Sequence, residues 1–227
     1  MNYEILYPEA YPVIRCHLER GESIKAESDA MIAMSSTMVI EGKREGSFLG
    51  GLVRSMLTSE SFFFQYLTAK NGAGTALLGH PMPGGIATVE MKNDSYIVQK
   101  GGFLASTNGI DVDTKTQGIM KGLFSGEGFF LLNVHGSGTL FISSYGMIHP
   151  IDVAAGEEII VDNGHLVAWP ADMNYELEKA SSGWFSSLKS GESLVCRFRG
   201  PGRVYIQTRN PGSFESWIRS LMPPSSD

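Results

Sequence analysis

The stretch "SGESLVCRFRGPGRVYIQTRNPG", residues 190–212, sets two alternating runs on either side of a Gly-x-Gly turn. In the first run Leu194, Cys196 and Phe198 fall on one side of an extended chain while Val195, Arg197 and Arg199 fall on the other, because successive side chains of a strand point to opposite faces. The run after the turn, "GRVYIQTR", alternates likewise. A phosphate-binding loop needs glycines that lead from a strand into a helix N-terminus, with amides converging on the anion. Here a second strand follows, so the glycines are expected to serve a tight turn, a bulge or a close approach of strands.

The same order of features occurs twice more upstream, and a fixed period changes the meaning of every motif inside it. The third printing of the turn, "RGPGRVYIQ" (199–207), matches "HGSGTLFIS" (135–143) and "NGAGTALLG" (71–79), so that Gly74, Gly138 and Gly202 stand 64 residues apart. Ahead of each turn lie "GLVRSMLTSESFFFQYL" (51–67), "GIMKGLFSGEGFFLLNV" (118–134) and "GWFSSLKSGESLVCRFR" (183–199), each with a glycine nine residues before Glu60, Glu127 or Glu192. Further upstream "GESIKAESDAMIAM" (21–34), "NDSYIVQKGGFLAS" (93–106) and "GEEIIVDNGHLVAW" (156–169) align without a gap. That alignment brings Ile32, Leu104 and Val167 into register, as it does Ala33, Ala105 and Ala168, and the polar set Glu27, Gln99 and Asp162. The expectation is an all-β chain of three tandem units forming one compact domain over 1–227, with units at about 15–83, 84–150 and 151–210 and a flexible tail at 211–227.

Composition agrees with many short strands: of 227 residues, 42% are hydrophobic, 19% are charged and 27 are glycine. A net charge of −6 repels phosphate backbones and anionic lipid, so nucleic acid is not an expected partner unless a local basic patch overrides the field. The two cysteines, Cys16 and Cys196, lie far apart and lack a neighbouring Cys or His at metal-ligand spacing, which reads as two buried reduced thiols. The N-terminus lacks the layout of a signal peptide and no run of about 18 apolar residues occurs, so a cytoplasmic protein is expected, with peripheral membrane association open.

The blocks "IIVDNGHLVAWPADMNYEL", "GESLVCRFRGPGRVYIQTR" and "LFSGEGFFLLNVHGSGTLFIS" resemble the altered-inheritance-of-mitochondria protein 24 family, which has uncharacterised bacterial and archaeal members. The likeness runs from about residue 15 to 210; "GESL" stands where "GEGL" is frequent, and "TSESFFF" has lost the glycine. The resemblance implies triplicated jelly-roll-like β-sandwich units, similar to the tryptophan RNA-binding attenuation protein, assembled as a ring-like homotrimer. It implies an association of the mitochondrial members with inner-membrane organisation, and it supplies no enzymatic activity, cofactor or catalytic set. RNA binding is not inherited through a fold alone.

Several side chains invite a functional reading, each with a plainer one beside it. Arg197, Arg199 and Arg203, with Arg209, Phe198 and Tyr205 interleaved, could hold an anion or single-stranded nucleic acid by charge and stacking. The plainer reading is a solvated strand face or one ion-paired between subunits. Leu49, Leu52, Val53, Met56 and Leu57 follow helical spacing and could contact a membrane or a partner, or simply cover the end of a sandwich. Glu60, Glu127 and Glu192 read as turn caps, and Gly74, Gly138 and Gly202 as structural turns. The histidines, His17, His80, His135, His149 and His165, show no metal spacing; His165 beside Asp162 reads as a packing position. The expected function is a non-enzymatic, self-associating scaffold, with a ligand-binding or nucleic-acid-binding module between repeats as the alternative and an enzyme third.

Overall fold

A computed structural model describes residues 1–44, 63–99, 101–115, 131–179 and 194–223. The apolar stripe Leu49–Leu57 and the three turn glutamates Glu60, Glu127 and Glu192 lie outside these residues. The chain opens with β1 (Asn2–Leu6), β2 (Val13–Leu18), β3 (Ser23–Glu27), β4 (Met31–Met34), β5 (Val39–Arg44), β6 (Phe63–Thr68) and β7 (Gly74–Gly79). It continues through β8 (Ile86–Gln99), β9 (Phe103–Thr107), β10 (Ile110–Lys115) and β11 (Leu131–Ser143). The last stretch carries β12 (Ile148–Val153), β13 (Glu158–Asp162), β14 (Leu166–Pro170), β15 (Asn174–Lys179), β16 (Leu194–Arg199), β17 (Gly202–Gln207) and α1 (Pro211–Leu221). The fold is all-β, as the alternation predicts.

The strands pair antiparallel in sheets of four, ten and three. In the four-stranded sheet β7 lies between β2 and β4. Strand β6 lies between β3 and β5. Near the C-terminus β17 lies between β12 and β14, and β16 between β13 and β15. In the middle β8 and β11 run as one long antiparallel ladder, with β10 on the first half of β11 and β9 on the second. Two junctions knit these groups together, β3 against β9 and β8 against β14.

A register shift falls at one alignable place in three strands: between Met31 and Ala33, where Phe103 and Ala105 face β11, and between Leu166 and Ala168. The residue passed over is Ile32, Leu104 or Val167, the trio aligned by sequence. A bulge of this kind bends the strand and re-aims its side chains. It leaves Ala33, Ala105 and Ala168 opposite Leu77, Phe141 and Tyr205.

Three clusters of buried apolar side chains fill the space between sheets. One gathers Ile14, Cys16, Ile24, Leu67, Leu78 and Phe141. A second gathers Phe64, Val98, Phe103, Val134, Leu140 and Ile142. The third holds Trp169, Phe198, Val161, Met173, Cys196 and Val204. Inside it Trp169 meets Tyr175 and Phe198 edge to face at centroid distances of 5.3 and 5.4 Å, the geometry that aromatic quadrupoles favour.

Within the stretch expected as a flexible tail, residues 211–221 form a helix. Asn210 caps it, its Oδ1 accepting from the amides of Gly212 at 2.9 Å and Ser213 at 3.3 Å, and Pro211 occupies the first turn. An Asn-Pro pair is a helix start signal in its own right, hidden here inside a turn-like Gly/Pro-rich stretch. The helix buries none of its residues and exposes Phe214, Trp217, Ile218 and Leu221 at helical spacing. Among the described residues no helix is long and apolar enough to cross a membrane.

Candidate functional site

The arginines come together, and with them comes their neutralisation. Strand β16 is the centre of the three-stranded sheet, so Arg197 and Arg199 reach carboxylates on both flanking strands. Arg197 Nε donates to Glu178 at 2.8 Å and its Nη1 to Glu158 at 3.3 Å. Arg199 Nε donates to Glu158 at 2.6 Å and its Nη1 to Glu176 at 2.8 Å. Two cations thus share three anions on one face. Arg203, opposite Asp152 in the β12–β17 ladder, grips it with two bonds of 2.6 and 2.9 Å. Phe198 is fully buried and Tyr205 nearly so, and neither ring is free to stack on a base. The basic, aromatic-interleaved surface imagined from sequence is an ion-paired strand face.

These pairs set a pH dependence on the acid side. Hydrogen bonding by Arg203 holds Asp152 below the usual carboxylate range; Arg199 and then Arg197 do the same for Glu158, and Arg197 does so for Glu178. A folded-state value below the unfolded one adds stability that is complete above the ordinary carboxylate range and is lost as pH falls through the depressed values. The groups are exposed and screened, so the contribution is modest. The melting temperature is expected to fall as pH drops below about 4, near the unperturbed carboxylate values. In Arg197→Gln/Arg199→Gln that fall is shallower, as thermal unfolding across pH reads directly.

Two of the Gly-x-Gly motifs lie between strands, with Gly74 opening β7 and Gly202 opening β17, whereas Gly138 lies inside β11 beside a register shift at Gly136 and Ser137. A Cβ on Gly74 would stand 2.7 Å from Met38 Cγ, and one on Gly202 2.7 Å from Met173 Sδ. At Gly138, with φ at 144°, it would meet Thr107 Oγ1 at 2.3 Å. The neighbouring amide of Thr139 donates to that same hydroxyl at 2.9 Å, just as Thr75 N–H donates to Ser35 Oγ at 2.9 Å.

A feature that sequence reading missed is a cavity of about 610 Å³ where the turns β3–β4, β8–β9 and β13–β14 approach the start of α1. Glu27, Gln99, His80, Tyr145, Gly164 and Gln207 are among its lining residues. Gln207 ties the walls: its Nε2 donates to Gly164 O and its Oε1 accepts from Tyr145 N–H, both at 2.9 Å. His165 Nδ1 lies 2.7 Å from the Gln207 carbonyl, which fits a packing position. Burial pushes the His80 imidazole below its ordinary value, and its Nδ1 accepts from Met82 N–H at 3.3 Å. The alignment of Glu27 with Gln99 was the available signal, since two polar residues repeated before a bulged strand mark one common place.

Cys16 and Cys196 are free and buried, and desolvation pushes each thiol up to about 12. Such thiols are poor nucleophiles at neutral pH. Among the described residues no three His, Cys, Asp or Glu side chains gather as a metal site.

Comparison with known proteins places this architecture. An uncharacterised protein of Streptococcus pyogenes serotype M6 is 31% identical over 234 residues, which cover 100% of this chain and 93% of the relative. The X-ray structure of a Streptococcus pyogenes protein from a structural genomics consortium superposes with a TM-score of 0.77 at 28% identity, covering 97% of this chain and 99% of the other. Residues 3–209 match the family described as Mitochondrial biogenesis AIM24. With nearly the whole strand framework inside that match, the chain belongs to the mitochondrial biogenesis AIM24 family.

Proposed function

We propose that this protein is a non-enzymatic scaffold of three tandem jelly-roll-like units that self-associates, as a homotrimer, and acts through its surfaces. The observation that carries the reading is a recurring pairing rule. One strand lies between two partners in β2–β7–β4, in β8–β11–β9 and in β12–β17–β14. The companion triplets β3–β6–β5, β8–β11–β10 and β13–β16–β15 follow the same order. A chain built by repetition presents similar junctions again and again, and such junctions suit closed symmetric assembly. The exposed apolar side of α1 offers a contact for a partner or a membrane surface in the cytoplasm, consistent with a role in membrane-associated organisation.

A second reading is a small-ligand module, favoured by the cavity between the turns with its Gln99, Gln207, His80 and Tyr145. The pairing of Arg197, Arg199 and Arg203 with acids weighs against nucleic acid in that role. Multi-angle light scattering separates the readings: a mass three times that of the chain supports the scaffold. A mass of one chain at every working concentration removes it.

A further inference from the structure

Among the strand edges left open within the described residues, those of β4 and β13 are the two halves of a junction the chain makes twice elsewhere. At the first junction Ile24, Lys25 and Ala26 of β3 face Thr107, Ser106 and Ala105 at β9. At the second, Tyr96, Ile97 and Val98 of β8 face Pro170, Trp169 and Ala168 of β14. The sequence alignment superposes these pairs one for one: 24 on 96, 25 on 97 and 26 on 98, with 107 on 170, 106 on 169 and 105 on 168. The members left over are β13, which aligns with β3 and the second half of β8, and β4, which aligns with β9 and β14.

Within one chain these two strands belong to different sheets, and each stands at the end of its own. Their exposure records the missing partner. Ile32 of β4 is 57% exposed where its counterparts Leu104 and Val167 are 0% and 1%. Ile160 of β13 is 51% exposed where Lys25 and Ile97 are each 4%. An open edge presents unpaired N–H and C=O groups, and proteins commonly blunt such edges with Lys, Pro or inward charges. The sequence of β4, Met-Ile-Ala-Met, has none of these.

We propose that β13 of one copy adds to the free edge of β4 on the next copy. The pairing is antiparallel, with Ile160 opposite Met34 and Val161 opposite Ala33 by extension of the two internal junctions. The contact is head-to-tail, so every copy offers one edge and accepts one, and the assembly closes into a ring when the rotation permits. This rests on the self-association reading above and names the strands that make the contact.

The test uses the full-length chain in two variants that each add one cysteine, Met34→Cys and Ile160→Cys, treated with a short bis-maleimide; wild type controls for the buried native thiols Cys16 and Cys196. Mixing the two variants is expected to give a cross-linked species of two chains that neither variant gives alone, and the double variant is expected to give a ladder. Cross-linking of the double variant only within one chain overturns the proposal, because the edges then close on themselves. Ile32→Asp gives an independent readout at a position already exposed: the chain keeps the far-ultraviolet circular dichroism of the folded wild type and its mass falls to that of one chain. An Ile32→Asp variant that stays oligomeric overturns the edge pairing while leaving self-association intact. A wild type that is itself a single chain removes both.

Discussion

Gly136→Ala is expected to destabilise the fold strongly. The residue sits at φ 127°, and a Cβ there would lie 2.1 Å from the carbonyl oxygen of Gly109 and 3.1 Å from its carbon. Both atoms are backbone, and the Gly109 carbonyl is held by the Ser137 amide at 2.9 Å. No rotamer change relieves the contact. Backbone strain of about 1–3 kcal/mol and overpacking of about 1–3 kcal/mol act together, and about 3 kcal/mol or more is the expected loss. For a chain of this size that is a drop of roughly 6–12 °C in melting temperature. Gly101→Ala is the control, since Gly101 also has positive φ, 79°, but nothing within 4 Å of its Cβ position. It should lose only the strain component. Calorimetry on the two variants separates close approach from conformation, and equal losses would contradict the steric account.

The second large effect belongs to the aromatic trio under the arginine face. Phe198 is fully buried against Trp169 and Tyr175, and truncating a buried aromatic ring costs about 3–5 kcal/mol. Phe198→Ala should therefore cost far more than removing the arginines on either side of it in sequence. Trp169→Phe should cost much less. Trp169 is fully buried, yet its Nε1 has no hydrogen-bond partner among the described residues. Removing an unsatisfied donor returns part of a penalty of about 1–3 kcal/mol, which offsets lost ring volume. Urea unfolding of the two variants compares them, and a Trp169→Phe loss as large as that of Phe198→Ala would contradict the arrangement.

Much of the strand framework was legible because alternation and repetition reinforce each other. The alignment put Ile32, Leu104 and Val167 in register, the residues passed over at the register shifts, and the outer Gly-x-Gly motifs stand between strands at Gly74 and Gly202, while Gly138 falls inside β11. What sequence could not show was long-range pairing. Arg197 and Arg199 look like a basic patch because Glu158, Glu176 and Glu178 lie 19 to 41 residues away in the chain and arrive beside them only through the β13–β16–β15 ladder. The long β8–β11 ladder was hidden for a similar reason. Strand β8 runs on through Asn93, where the outer stretches turn at Gly21 and Gly156, and β11 runs on through Gly136, where the outer stretches break between β6 and β7 and between β16 and β17, with a register shift at Gly136 and Ser137. The start of α1 was masked by the same Gly and Pro residues that signal a tail.

The edge pairing is most directly tested by hydrogen exchange of the wild-type chain over a range of concentrations, followed by mass spectrometry. Amides on the outer edges of β4 and β13 are expected to be protected at high concentration and to exchange together on dilution, while those of β7 and β16 stay protected throughout. Rapid exchange of the β4 and β13 edges in a preparation that is oligomeric by light scattering would contradict it.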